Sequence, residues 1–175
     1  MQFNHDNMTG TELSVALVNL DGAGGWSRDA ALGVLLDHHV RRADLTDDAA
    51  HELRTWTRAL RRVFEAGSPD QRCDAVNDLL AAGAGRPYLT THDGLRPHLH
   101  FAPESDDVVG RVKAVTAGSL SFFTVEAEGA RLCVCARTGC DTVFVDTSRN
   151  GRRAYCTARC GNYDAMTRHR TARRA

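Results

Sequence analysis

The chain has 175 residues, 42% of them apolar, enough for one ordinary domain with a real core and a small appendage, and its formal net charge is zero. That total hides an asymmetry: residues 1–130 hold 12 basic and 19 acidic side chains, while residues 131–175 hold ten arginines against Asp141, Asp146 and Asp164. The opening M-Q-F-N-H-D-N-M-T-G lacks the basic-then-apolar run of a secretory leader and nothing approaches 18 consecutive apolar residues, so a cytoplasmic location with no membrane partner is expected.

Residues 11–20, T-E-L-S-V-A-L-V-N-L, are apolar enough to form a short buried helix, which D-G-A-G-G at 21–25 ends. From Trp26 to Val40 the positions of Ala30, Val34 and Leu35 fit helical spacing behind Ser27 as a cap. The neighbouring His38 and His39 point about 100° apart on a helix, so they do not share a metal easily and fit a surface or interface role. The clearest helix covers 47–66, with Thr46 as N-cap and Asp47 and Asp48 in its positive first turn. Ala49, Leu53, Trp56, Leu60 and Val63 make its apolar stripe, and Arg54, Arg58, Arg61 and Arg62 its solvated face.

Gly67 stops this helix, and Ser68, Pro69 and Gln71 start another with a capping box. Cys73, Val76 and Leu80 are expected on its inner face, which makes Cys73 a small core residue. Residues 87–101 read as a β-hairpin turning at Asp93-Gly94, with His98 and His100 on one face as a remote candidate for a second metal site. A helix follows from Pro103, Ser105, Asp106 and Asp107 to about Val125, and it should pack on the Trp56 helix. Residues 126–129 form a short hinge, giving a helical part at 1–129 and a terminal module at 130–175.

The terminal module holds five of the six cysteines, which stay reduced in the cytosol and are therefore metal ligands or redox thiols before they are disulfides. Cys135-x4-Cys140 and Cys156-x3-Cys160 are two compact knuckles, with Gly139 and Gly161 beside them, that can present four thiolates to one Zn²⁺. Cys133 competes with Cys135 for a ligand position; the tighter Cys135–Cys140 loop favours Cys135. Between the knuckles two short strands around a polar turn are expected. Val143 and Val145 share a face, Phe144 lies opposite as a lid over the metal, and Asn150-Gly151 makes the turn. A helix after Cys160 carries the last arginines, so Arg149, Arg152, Arg153, Arg159, Arg168 and Arg170 are the candidate nucleic-acid contacts.

C-x4-C, then F-V-D-T-S-R-N-G-R-R-A-Y-C, then C-G-N, resembles the CGNR zinc finger, and the preceding residues are similar in layout to the ABATE domain that accompanies it, including Val18, Asn19 and Asp21 of its V-N-x-D piece. The resemblance implies an α+β chain: a mostly helical N-terminal domain with a β-hairpin, then a small treble-clef or ribbon-like four-cysteine zinc finger ending in a helix. It also implies a bacterial transcription regulator that binds double-stranded DNA and is nucleoid-associated when bound, the helical part sensing a signal or forming a homodimer. The chain departs from the family pattern at Tyr163, where the motif has arginine, at Ala165, where it has lysine, and at Tyr155, where it has tryptophan. The other readings are a protein-interaction module docking on RNA polymerase or another transcription protein, and a thiol redox sensor. A zinc held by four cysteines leaves no open position for catalysis, so no enzyme is expected.

Overall fold

The computed structural model describes residues 5–91, 97–101 and 107–173, without the side chains of 5–7, 98, 100 and 172. Six helices and two small antiparallel sheets appear in it: α1 (His5–Gly22), α2 (Arg28–Asp37), α3 (Asp47–Glu65), α4 (Pro69–Gly83), β1 (Tyr88–Thr90), β2 (His98–His100), α5 (Val108–Glu126), β3 (Leu132–Val134), β4 (Val143–Val145) and α6 (Ala158–Ala172). This is the mostly helical α+β class expected.

The helix starts follow the sequence. Ser27, Thr46, Ser68 and Asp107 each accept the N–H three residues on through the side chain, filling a donor that the first turn leaves open. Leu53, Trp56, Leu60 and Val63 of α3 are buried as the stripe requires. α5 lies against α1 and α4, and it meets α3 where the Trp56 Nε1–H donates to Thr116 Oγ1 at 3.0 Å. By length and composition α5 could cross a membrane, but Val112, Ala117, Leu120 and Phe123 are each buried in the common core, which accounts for its apolar character.

Four expectations are corrected. α1 begins at His5, six residues before the apolar run, since H-D-N-M-T-G at 5–10 continues the helix with a single large apolar residue; within the run Thr11 and Ser14 are buried beside the leucines, and Ser14 satisfies its hydroxyl on Gly10 O at 2.7 Å. In α4 the buried set is Arg72, Ala75, Val76 and Leu79, so Cys73 faces outward and is exposed, and Leu80 is only half-buried. The phase is set by Arg72, whose guanidinium reaches the carbonyls of Val63 and Ala66 at the end of α3, of Gly129, and of Leu132 in β3. It thereby fills acceptors at a helix C-terminus, where the backbone dipole favours a cation. The box at the start of α4 is also displaced, since Gln71 Oε1 accepts from Gly67 N rather than from Ser68 N. In the first hairpin Tyr88, Leu89 and Thr90 oppose His100, Leu99 and His98, one residue longer than a two-residue turn would allow. The Asp93-Gly94 turn, His92 and the side chains of His98 and His100 lie outside the described residues. His38 caps the end of α2 through its backbone, and His39 takes the left-handed conformation (φ 57°).

The terminal module sits on the helical body through both of its strands. Leu132 and Val143 belong to the same buried cluster as Leu53, Leu60 and Leu120, with Val134 and Val145 packed against it. The Asn19 side chain pairs with the backbone of Val143 twice: Nδ2–H donates to Val143 O at 2.9 Å, and Val143 N–H donates to Oδ1 at 2.8 Å. Two residues on, Asp21 takes Arg54 at 2.7 Å and Arg58 at 3.6 Å from α3. The V-N-x-D piece thus joins α1 to the core, to β4 and to α3.

Candidate metal centre

β3 and β4 pair antiparallel, Leu132 opposite Val145, Cys133 opposite Phe144 and Val134 opposite Val143. Their connection is the first knuckle. Cys135 N–H donates to Thr142 O at 2.9 Å and Cys140 N–H to Arg137 O at 3.0 Å, with Gly139 at φ 76° making the reversal. The second knuckle opens α6. Thr157 caps that helix by accepting Cys160 N–H, so Cys156 lies just before the cap and Cys160 in the first turn, near the positive end of the helix.

The four sulfurs of Cys135, Cys140, Cys156 and Cys160 lie within 4.8 Å of one another. A tetrahedral ion with metal–sulfur bonds of about 2.3 Å requires sulfur–sulfur separations of about 3.8 Å. Cys140–Cys156, Cys156–Cys160 and Cys140–Cys160 stand at 3.9, 3.6 and 4.0 Å. The donor set therefore fits a divalent ion of that kind. Cys156 N–H points at Cys135 Sγ (3.4 Å), and the Thr142 hydroxyl lies 3.4 Å from Cys140 Sγ. Thr142, through its hydroxyl and then its N–H, brings the Cys140 thiol down to about 6, whereas burial first and then the neighbouring sulfurs push Cys156 up to about 12. Sulfurs this close do not all ionise unless a cation joins them, and such a cation, once bound, holds the two knuckles and α6 together. Cys133 lies outside this group, half-buried in β3, its thiol raised by burial and then by Asp146.

The segment between the knuckles differs from expectation. β4 pairs back onto β3, and residues 147–157 form no strand. Asp146, 1% exposed, explains this, because its carboxylate takes Ser148 N–H at 2.9 Å on one oxygen and Arg153 N–H at 2.8 Å on the other. Burial alone would raise its carboxyl; the hydrogen bonds from Ser148 and Arg153, with Arg131 nearby, outweigh that and hold it below the ordinary range. Arg131 also donates to Asp146 O and Ser148 O, and Gly151, at φ 60°, leaves the space its guanidinium needs, since a Cβ there would come within 2.9 Å. Neither Asp146 nor Arg131 was legible as a loop-former, because both work on backbone groups.

The arginines divide into two sets. Arg153 is engaged within the module, donating to Tyr155 O at 2.9 Å and to Cys156 O and standing over the Phe144 ring at 5.1 Å. Arg168 pairs with Asp164 at 2.9 Å, and the same carboxylate oxygen accepts the Tyr155 hydroxyl at 2.7 Å, which gives that hydroxyl its partner. Among the described residues Arg149, Arg152, Arg159 and Arg170 are exposed and make no side-chain hydrogen bond or ion pair. Gly161 lies under the Tyr155 ring, where a Cβ would approach to 3.2 Å. Tyr163, 58% exposed, carries the Arg137 guanidinium over its ring at 5.3 Å.

Comparison with known families agrees with this geometry. Residues 131–174 match the CGNR zinc finger, and residues 12–138 match ABATE, described as "Putative stress-induced transcription regulator". The two matches overlap across β3 and the start of the first knuckle. No curated protein matches the chain. The chain belongs to the ABATE family and carries a CGNR zinc finger with four cysteines positioned to bind a metal ion.

Proposed function

We propose that this protein is a DNA-binding transcription regulator in which Zn²⁺, held by Cys135, Cys140, Cys156 and Cys160, supports an arginine surface that contacts double-stranded DNA. The observation that carries the reading is the set of unengaged arginines, Arg149 and Arg152 on the loop clamped by Asp146 and Arg159 and Arg170 on α6. Guanidinium groups without internal partners are available to phosphate, and α6 runs out from the module with its later turns exposed on every side. Arg153 and Arg168 contribute through the shape and charge of the module, since each already has a partner inside it. Zinc supplies a structural link with all four positions filled by sulfur, a non-catalytic arrangement. Residues 1–129 act as the sensing or dimerising part, and the place of action is the cytoplasm and nucleoid.

The test is fluorescence anisotropy with genomic DNA fragments over a range of salt. Four phosphate contacts give a slope of log affinity against log salt of about −3.6, at roughly 0.9 counterion per contact. Arg149→Ala/Arg152→Ala should keep its zinc and its helices and lower the slope by about 2. Binding that is flat with salt, or absent for every fragment, would remove the proposal. The exposed Tyr163 and Met166 on α6 favour docking on a transcription protein as the second reading; it predicts capture of RNA polymerase after nuclease treatment.

A further inference from the structure

The two sides of α6 differ in composition. At about 100° per residue, Cys160, Gly161, Asp164 and Arg168 share the side turned to the module. Cys160 belongs to the sulfur cluster, Gly161 lies under the Tyr155 ring, and Asp164 takes the Tyr155 hydroxyl and Arg168. Opposite them run Arg159, Tyr163, Met166 and Arg170, at alternating steps of four and three residues, with Asn162 on the flank. All five are exposed, Tyr163 and Met166 by more than half. Tyr163 carries the Arg137 guanidinium over its ring; the other four make no side-chain hydrogen bond, ion pair or ring contact among the described residues. The outward stripe holds no carboxylate, because Asp164, the one acid of α6, is turned inward.

Charge and spacing together select the occupant of this stripe. Arg159 and Arg170 are eleven residues apart, about 16 Å along the axis at roughly 1.5 Å per residue. The major groove of B-DNA is about 12 Å wide and admits one helix, so a guanidinium at each end of the stripe can reach the phosphates of a different strand. Between the two arginines the stripe is uncharged, which suits base edges and not phosphates. We propose that α6 is the element that enters the major groove, with Arg159 and Arg170 anchoring it to the two backbones and Asn162 and Met166 reading the bases between them. The inference rests on the DNA-binding reading and adds to it a groove and two specificity-determining residues. The Asn162 amide offers one acceptor and one donor to N6–H and N7 of adenine, and the Met166 side chain packs against the thymine methyl, so the preferred site holds A·T pairs at its centre. Arg149 and Arg152 add affinity from the clamped loop without reading sequence.

The experiment selects from a pool of duplexes with a randomised centre, using the full zinc-loaded chain, and then measures anisotropy on the enriched duplex. Exchanging its adenines for 7-deaza-adenine, or its thymines for uracil, removes an acceptor or a methyl group from the major groove and should weaken binding; inosine for guanine, which alters the minor groove, should not. Asn162→Ala should lose about tenfold on the enriched duplex, within the discrimination that one bidentate base contact supplies, and keep its affinity for random duplexes and its salt slope. Met166→Ala should no longer distinguish thymine from uracil. Arg159→Ala/Arg170→Ala should lower the slope by about 2 on both kinds of duplex. Zinc content and circular dichroism check each variant. An Asn162→Ala variant that keeps the sequence preference, or binding that responds to inosine and ignores 7-deaza-adenine, overturns the inference. Salt-dependent binding without any enriched sequence also overturns it and leaves the DNA-binding reading standing, whereas binding to no duplex removes both. Capture of RNA polymerase that Met166→Ala abolishes, with duplex binding unchanged, would assign the stripe to that protein and refute the groove.

Discussion

The helical body and the cysteine module solve the same problem by different means. In the body, Leu13, Leu17, Leu35, Leu53, Leu60, Leu120 and Phe123 are almost fully buried, and apolar burial of the order of 25 cal/mol per Å² offsets chain entropy. In the module, Leu132, Cys135, Val143, Phe144 and Asp146 are buried, and from residue 147 to 173 no residue with a described side chain is. A segment of that length without a core has to be ordered by polar bonds and by a cross-link. The Asp146 clamp, the Arg153 contacts and the four-sulfur cluster occupy that place. The body therefore tolerates the loss of single polar contacts, and the module tolerates little loss of apolar area because it has little.

The sharpest way to break the comparison is to remove one ligand. Cys156→Ser should abolish metal uptake and with it α6, since metal binding supplies on the order of 10 kcal/mol of folding free energy in modules of this type. The melting transition of the body should survive, while Leu60→Ala should cost about 2–5 kcal/mol in that transition and leave metal stoichiometry unchanged. Elemental analysis beside thermal melts decides, and equal zinc loss in both variants would erase the distinction drawn here.

The next largest effect belongs to Asp146. Asp146→Ala leaves the N–H groups of Ser148 and Arg153 without their acceptor and should cost about 1–3 kcal/mol. Because the folded carboxyl is held below its unfolded value of about 3.9, its contribution is fully present above that pH and is lost as pH falls through the folded value. The difference in melting temperature between wild type and variant should stay constant from pH 8 to 5 and narrow only below about 4. A difference that already changes between pH 8 and 5 would contradict the assignment.

The smallest effect tests the corrected face of α4. Cys73→Ser should change stability by less than about 0.5 kcal/mol, and a maleimide should label Cys73 in the zinc-loaded protein without releasing metal. A penalty of about 2 kcal/mol would restore the buried position expected from the sequence.

What could be read from the sequence follows from what side chains do to water and to one another at fixed spacing. The α3 stripe, the helix caps at Ser27, Thr46 and Ser68 and the two cysteine knuckles obey such spacings, so those elements and the members of the sulfur cluster were legible. The face of α4 was not, since Arg72 enters the core by bonding to four backbone carbonyls, and hydropathy places arginine outside. The early start of α1 was hidden because H-D-N-M-T-G at 5–10 holds a single large apolar residue, Met8, and so shows no helical period. Asn19 matched a family motif, but its work could not be inferred, because its partner is the backbone of a residue 124 positions away.

That pairing decides how freely the finger can be transplanted. The Asn19 amide does for one residue of β4 what a neighbouring strand would do, taking up both an outward N–H and an outward C=O. A fragment starting at residue 130 would present that edge bare, together with Leu132 and Val143, as a template for a second copy of itself. The finger is therefore not a self-sufficient cassette: a new host has to bring an amide side chain and an apolar seat with it.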